Sequence, residues 1–197
     1  MSDHIVIPGG TGFLGRHLTE RLIARGDRVT ILSRGGGAPS SGPGWNVVTW
    51  DARGQGPWSD VLDGAHAIVH MSGKRVDCSP TKRNIDELVS SRVQAVRAVG
   101  AAIDVADDPP AVWVQLSTLA LHGHGGDQII DDGVAPSAIG PRQMVHVATE
   151  WESAWHEASE STQRRVLLRA GISIGGGRAT RRRAGSSAWP GGGLVGA

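Results

Sequence analysis

Four glycines are the first residues of this chain whose type and spacing suit chemistry. In IVIPGGTGFLGRHL (residues 5–18) an apolar, β-branched run stops in Gly9, Gly10, Gly12 and Gly15. Beyond them Leu14, Leu18 and Leu22 fall on one helical face. A buried strand, a tight glycine turn and a helix N-terminus bring free N–H groups and the positive end of a helix dipole to one point. Glycine leaves room there for a pyrophosphate. The turn residues Gly9, Gly10, Thr11, Gly12, Phe13, Leu14 and Gly15 are therefore expected around a nucleotide phosphate, with Gly15 also letting the helix pack closely on the strand. A glycine pattern alone also describes ordinary turns. Its place after a strand and before a helix selects the phosphate reading.

The elements that must hold such a site alternate along the chain. Strands are expected over 4–8, 28–33, 46–50, 66–71, 111–117 and 165–170, and helices over 12–25, 82–106 and 142–160. Ile85, Val89, Val93, Val96 and Ile103 mark the inner face of the second helix, and Pro109-Pro110 stop it. Strands separated by crossovers long enough to hold a helix predict an α/β fold with a doubly wound parallel sheet. Loops are expected over 35–44 and 122–141. A net charge of +1, spread along the chain, implies no nucleic-acid partner. The polar start Met-Ser-Asp-His shows no signal peptide, and no apolar stretch is long enough to imply a membrane span. Cys78 is the only cysteine, which excludes an internal disulfide and fits a reducing, cytoplasmic setting.

The segments GGTGFLGRHL, VTILSRGG, IVHMSGKRVD, SSRVQAVRAVG, QLST, ATEWESAW and LLRAGISIGGG occur in an order that resembles the extended short-chain dehydrogenase/reductase superfamily. Within it they are most similar to the atypical epimerase/dehydratase branch. The resemblance runs from residue 4 to about residue 177. It implies a Rossmann-type NAD(P)-binding domain over residues 1–174 and a dinucleotide cofactor. After the second strand, Ser33-Arg34 replaces the acid that usually accepts hydrogen bonds from the ribose 2′-hydroxyl of NAD. A hydroxyl and a guanidinium favour a 2′-phosphate, hence NADP over NAD. A solvated loop arginine is the plainer alternative.

Further positions carry over from the resemblance. Asp51 and Ala52 stand where relatives line the adenine edge, Asp51 acting either as an acceptor for the adenine amino group or as a turn acid. Met71, Ser72 and Gly73 match a turn whose backbone runs beside the cofactor, and His70 before them is expected to be packed or hydrogen-bonded. Glu87 and Arg92 fall near the cofactor, Arg92 reaching the ribose or pyrophosphate or else forming a surface ion pair. Ser117 and Ser173 complete the cofactor set.

The family's chemistry needs a tyrosine that exchanges a proton with the substrate oxygen. A lysine four residues on assists it, and a Ser or Thr at the fifth strand's end orients the substrate. Thr118 fits the last position. Counting back from Glu152 places Met144 and Ala148 on the Tyr and Lys positions, on a face expected to look toward the cofactor. The chain contains no tyrosine anywhere. His122 and His146 remain as acid–base candidates, His122 standing at the expected mouth of the active site. His122, His124 and Asp127 are too sparse a set for a metal, so none is expected.

Two readings follow: an NADP-dependent oxidoreductase or epimerase acting on an unknown small molecule, or a catalytically silent NADP(H)-binding or sensing module. Residues 175–197, with eight glycines and four arginines, change character and predict an irregular tail in place of most of the substrate domain. That composition also fits an inactive, truncated or frame-shifted remnant. The helices 82–106 and 142–160 are the superfamily's usual pairing surface, which leaves a homodimer open.

Overall fold

A computed structural model of the chain describes residues 2–35, 41–137 and 139–173. The tail expected from residue 175 lies outside them. Seven strands are present: β1 (His4–Pro8), β2 (Arg28–Ser33), β3 (Ser41–Gly42), β4 (Trp45–Thr49), β5 (Ala67–His70), β6 (Val112–Thr118) and β7 (Arg164–Ala170). The helices are α1 (Phe13–Arg25), α2 (Lys82–Ile103) and α3 (Arg142–His156). The strands form one sheet in the order β3-β4-β2-β1-β5-β6-β7, parallel throughout except for the short β3–β4 pair. Winding runs outward from β1 to β4, then reverses from β5 to β7. The topological switch point lies between β1 and β5, where doubly wound sheets place their ligands.

Alternation along the central strands separates two layers. Ile5, Ile7, Val29 and Ile31 pack under Leu18, Leu22 and Ile23 of α1. Val6, Leu32, Ile68 and Trp113 face the other way, into a core with Val96, Val99 and Ile103 of α2 and Trp151 and Trp155 of α3. Leu14 belongs to neither layer. It is exposed at the first turn of α1, one turn beyond the edge of the apolar stripe.

Helix ends follow local chemistry. Gly26 adopts φ 95° after α1, and its N–H and that of Asp27 bond to Ile23 O and Leu22 O, closing the helix with a glycine cap. Thr81 opens α2 by accepting a hydrogen bond from Asn84 N at 3.2 Å. The same helix stops at Ile103, before Pro109-Pro110 can act, because Asp104 already serves as its C-cap. Its buried face is carried by Leu88, Ala95, Val96, Val99, Ala102 and Ile103. The alanines make that face narrow enough for α3 to approach, and a Cβ on Gly100 would sit 2.9 Å from Ala158 Cβ. The short 3-10 helices Pro57–Leu62 and Leu119–Leu121 carry no sequence periodicity long enough to predict.

Candidate functional site

A cavity of about 570 Å³ opens at the C-terminal ends of β1, β2, β4 and β5, across the switch point. Its floor is the glycine turn. Gly9 has φ +85°, and a Cβ there would lie 2.8 Å from Ser72 N and Cα. A Cβ on Gly10 would meet Ile31, and one on Gly15 would run into the Gly10 backbone. These three glycines are required by the protein's own packing. Gly12 differs: a Cβ there would approach only Gly9 O, at 3.3 Å, and the residue lines the cavity.

Helix α1 begins beside it with no side-chain cap and no acid in its first turn. Its leading amides are thus left for another acceptor. A pyrophosphate group fits this cradle, since the missing side chain and the uncapped amides meet at one place. Gly9, Thr11 and Gly12 line the cavity, whereas Gly10, Phe13, Leu14 and Gly15 do not. Gly10 and Gly15 shape the turn from behind, while Phe13 packs edge-on against His17 and Leu14 is exposed.

Ser33 and Arg34 form the wall after β2, and Trp50, Asp51, Ala52 and Arg53 the wall after β4. Parallel pairing brings the two walls level, with Trp50 N donating to Ser33 O at 3.1 Å. Asp51 serves as a turn acid, its Oδ1 accepting from Arg53 N (2.9 Å) and Gly54 N (3.3 Å). These bonds hold its carboxyl below the usual carboxylate range. The turn forces Ala52 to φ 61°, the only positive φ of a non-glycine residue among those described. Among the described residues neither Arg34 nor Arg53 closes an ion pair, so both guanidinium groups remain available to a phosphate.

The third wall joins Met71, Ser72 and Gly73 to one stripe of α2: Glu87, Ser90, Ser91 and Gln94. Lys74 completes it, its ammonium held by Asn84 Oδ1 at 2.7 Å and by Glu87, which also takes Arg83 Nε at 3.0 Å. His70 is buried and hydrogen-bonded as expected, with its pKa lowered to about 4 by burial. Arg92 neither reaches the cavity nor forms a surface pair. It lies buried behind Gly73, donating to Leu88 O and Lys74 O at 3.0 Å each, with its guanidinium 5.0 Å from the centre of the Trp151 ring. Burial lowers its pKa to about 10, which leaves it charged, and from there it fastens the turn that lines the site.

The far end of the sheet is built differently. Ser117 is buried and donates to Glu152 Oε1 at 2.5 Å, while Arg169 grips the same carboxylate at 3.0 and 2.9 Å. Ser117 is therefore committed to a structural pair and does not line the cavity. Thr118 Oγ1 caps the following turn by accepting from Ala120 N at 3.2 Å. His122 is buried, not set at a mouth, and Ser137 Oγ donates to its carbonyl at 3.0 Å. Ser173 is exposed beyond β7 and also lies outside the cavity. Met144 is half-buried and Ala148 fully enclosed, and neither lines the cavity toward which that helix face is expected to look.

Residue-level reading missed Leu32, Gly35, Trp50, Arg53, Lys74, Ser90, Ser91 and Gln94. One signal was present: Glu87, Ser90, Ser91 and Gln94 recur at helical spacing as a polar stripe on α2.

Over residues 5–171 the sequence matches the pattern of the NAD dependent epimerase/dehydratase family. It is 30% identical over 178 residues to the human epimerase family protein SDR39U1, covering 88% of this chain and 55% of that protein. The crystal structure of human SDR39U1 (isoform 2) with NADPH superposes with a TM-score of 0.72 at 28% identity, over 92% of this chain and 58% of the other. A nucleoside-diphosphate sugar epimerase from Corynebacterium glutamicum gives a TM-score of 0.71 at 26% identity, over 95% of this chain and 38% of the other. The chain thus spans about 55% of the length of the curated relatives it matches.

Proposed function

The chain belongs to the NAD dependent epimerase/dehydratase family, and from that premise we propose that it binds NADP(H) in the cavity at the switch point. The observation that carries this reading is the wall after β2, where Ser33 and Arg34, which closes no ion pair among the described residues, stand in place of an acid. Arg53 on the adjoining wall adds a second cation. A 2′-phosphate gains charge-assisted hydrogen bonds from such a corner, while a bare ribose hydroxyl gains no matching acceptor. The NADPH in the human relative's structure supports the same choice.

In this reading Gly9, Thr11 and Gly12, with the first amides of α1, hold the pyrophosphate. Asp51 and Ala52 border the adenine, and Ser72 and Gly73 run along the cofactor. The bound nicotinamide would supply hydride chemistry. The chain's own residues supply binding and orientation, but no phenol on α3 to move a proton. We therefore favour the cofactor-binding module without the family's proton transfer over the NADP-dependent oxidoreductase or epimerase of a small molecule. The latter reading draws on the Corynebacterium glutamicum sugar epimerase.

Trp50 lines the cavity, so tryptophan fluorescence provides an internal reporter for titration. NADPH is expected to bind more tightly than NADH. Arg34→Asp should reverse the order, with loss of the charge-assisted phosphate contact costing about 1.5–3 kcal/mol. Equal affinities in the unmodified chain would sink the NADP assignment.

A further inference from the structure

A buried polar chain behind the Met71–Gly73 turn is not accounted for by the phosphate cradle. His70 at the end of β5 is fully enclosed, and it stands in register with Gln115 on β6. Gln115 Nε2 donates to Leu116 O at 2.9 Å, which fixes the orientation of its carboxamide. Its Oε1 must then accept from His70 Nδ1–H, 2.9 Å away. A neutral imidazole protonated at Nδ1 offers only a lone pair at Nε2. The Ser72 hydroxyl lies 2.5 Å from that nitrogen and donates its single proton to it. Toward anything else Ser72 Oγ has only lone pairs.

The chain of Ser, His and Gln has the outline of a nucleophile and base, but its chemistry is opposite. Gln115 is neutral and cannot stabilise an imidazolium as a carboxylate does. Burial holds His70 neutral, with its pKa near 4. The proton therefore stays on the serine, and the relay fixes direction without activating the oxygen.

We propose that Ser72 Oγ is a dedicated hydrogen-bond acceptor for a ribose hydroxyl of the bound dinucleotide, held in that role by His70 and Gln115. The proposal rests on the reading of the cavity as a dinucleotide site. Ser72 lines that cavity and abuts the glycine turn, its Cα and N lying 2.8 Å from where a Gly9 Cβ would be. A dinucleotide offers two kinds of group beside such a turn. Phosphate oxygens are acceptors, and an oxygen with only lone pairs repels them. Ribose hydroxyls can donate, and they are the groups this oxygen selects. The contact is indifferent to the 2′-phosphate, whose corner is formed by other residues.

Two measurements test it. Imidazole ¹⁵N NMR of the full chain without ligand should show His70 protonated at Nδ1 and bare at Nε2. The opposite tautomer would turn Ser72 into a donor and overturn the proposal. Titration of the unmodified chain and of Ser72→Ala with NADPH, NADH and 2′,5′-ADP reads the contact itself. The variant should bind NADPH and NADH about tenfold more weakly, by the same factor, as for one lost hydrogen bond in a polar site. A loss shared by 2′,5′-ADP assigns the adenosine ribose, and a loss confined to the dinucleotides assigns the nicotinamide ribose. Unchanged affinity for all three ligands overturns the proposal while the NADP reading stands. Failure of the unmodified chain to bind any of them removes that reading, and the ribose contact with it. Ser72→Thr, which keeps the hydroxyl, should retain most of the affinity, and the NMR result holds even if Ser72→Ala folds poorly.

Discussion

Along the C-terminal edge of one sheet, β1, β2 and β4 end in bare turns around open space, with two arginines that close no ion pair among the described residues. By contrast, β6 and β7 end in polar groups that already bond one another. Gly12 presents no side chain to the cavity, and among the described residues the Arg34 and Arg53 guanidinium groups close no ion pair that a ligand would have to break. Ser117, Glu152 and Arg169 form a closed set, and Thr118 is spent on a turn. An unmade hydrogen bond is stored binding capacity, whereas a made one is stability. In the function proposed above, the first end receives an anionic ligand. The second is organised to hold α3, β6 and β7 together.

The comparison breaks most sharply at Gly12. Gly12→Val should abolish dinucleotide binding, by at least about a hundredfold in affinity, because a branched side chain enters the space where a pyrophosphate would lie. Its backbone (φ −72°, ψ 178°) is extended, which valine tolerates, so far-UV circular dichroism should be unchanged. Undiminished binding would show the cradle to be wrongly assigned. Gly15→Ala should act in the opposite manner, losing stability first, since its Cβ meets backbone.

At the other end the corresponding change is Glu152→Gln. It weakens the grip of Arg169 and Ser117 while leaving the cavity untouched. A cost of about 2–3 kcal/mol in unfolding free energy is expected, below the full cost of breaking a buried pair because Arg169 remains partly exposed. NADPH affinity should not change. A coupled loss of binding would mean that the two ends communicate.

The same division explains what the sequence made legible. The strands near 4–8, 28–33 and 112–118 could be read because their β-branched runs are bounded by glycine, proline and charge. The glycine turn and Ser33-Arg34 could be read because their roles are local: a positive φ, a helix start, a strand tip. Trp50, Lys74 and Gln94 could not, because cavity membership depends on where three separate chain segments meet. Arg92 misled for a related reason. An arginine on a helix reads as a surface or ligand group, and only the tertiary placement of Trp151 and of the Lys74 carbonyl shows it buried. Counting along a helix locates Met144 and Ala148 but does not give what covers them.

Acidification sharpens the comparison at the cofactor end. His70 has a folded-state pKa of about 4 against 6.5 when exposed, because burial disfavours the cation. Below pH 6.5 the unfolded chain takes up a proton that the folded chain refuses, so stability falls as pH drops toward 4. Between pH 7 and pH 5 the loss should be about 2 kcal/mol from this group. The half-buried His4, also shifted down by burial, adds to it in the same direction. Urea midpoints at pH 7, 6 and 5 measure the slope, and a flat profile would contradict a neutral, enclosed His70.

The smallest expected effect is on turnover, and it should be nil. Met144→Tyr, alone or with Ala148→Lys, restores the residue types of the family's proton-transfer pair. General acid–base help is worth roughly 10²–10⁴ in rate, but only when the group reaches the substrate in a fixed geometry. Neither position lines the cavity. Ala148 is fully enclosed, so a lysine there would enter the core and shift toward its neutral form. Ser117, the nearby hydroxyl, already donates to Glu152. Screening nucleotide sugars and simple carbonyls with NADPH, followed at the nicotinamide absorbance band, should therefore give background rates for the unmodified chain and for both variants. Turnover by Met144→Tyr alone would show that the face of α3 reaches the cofactor. Turnover by the unmodified chain would require another proton donor, and His146 on α3 and the enclosed His122 would be the first residues to substitute.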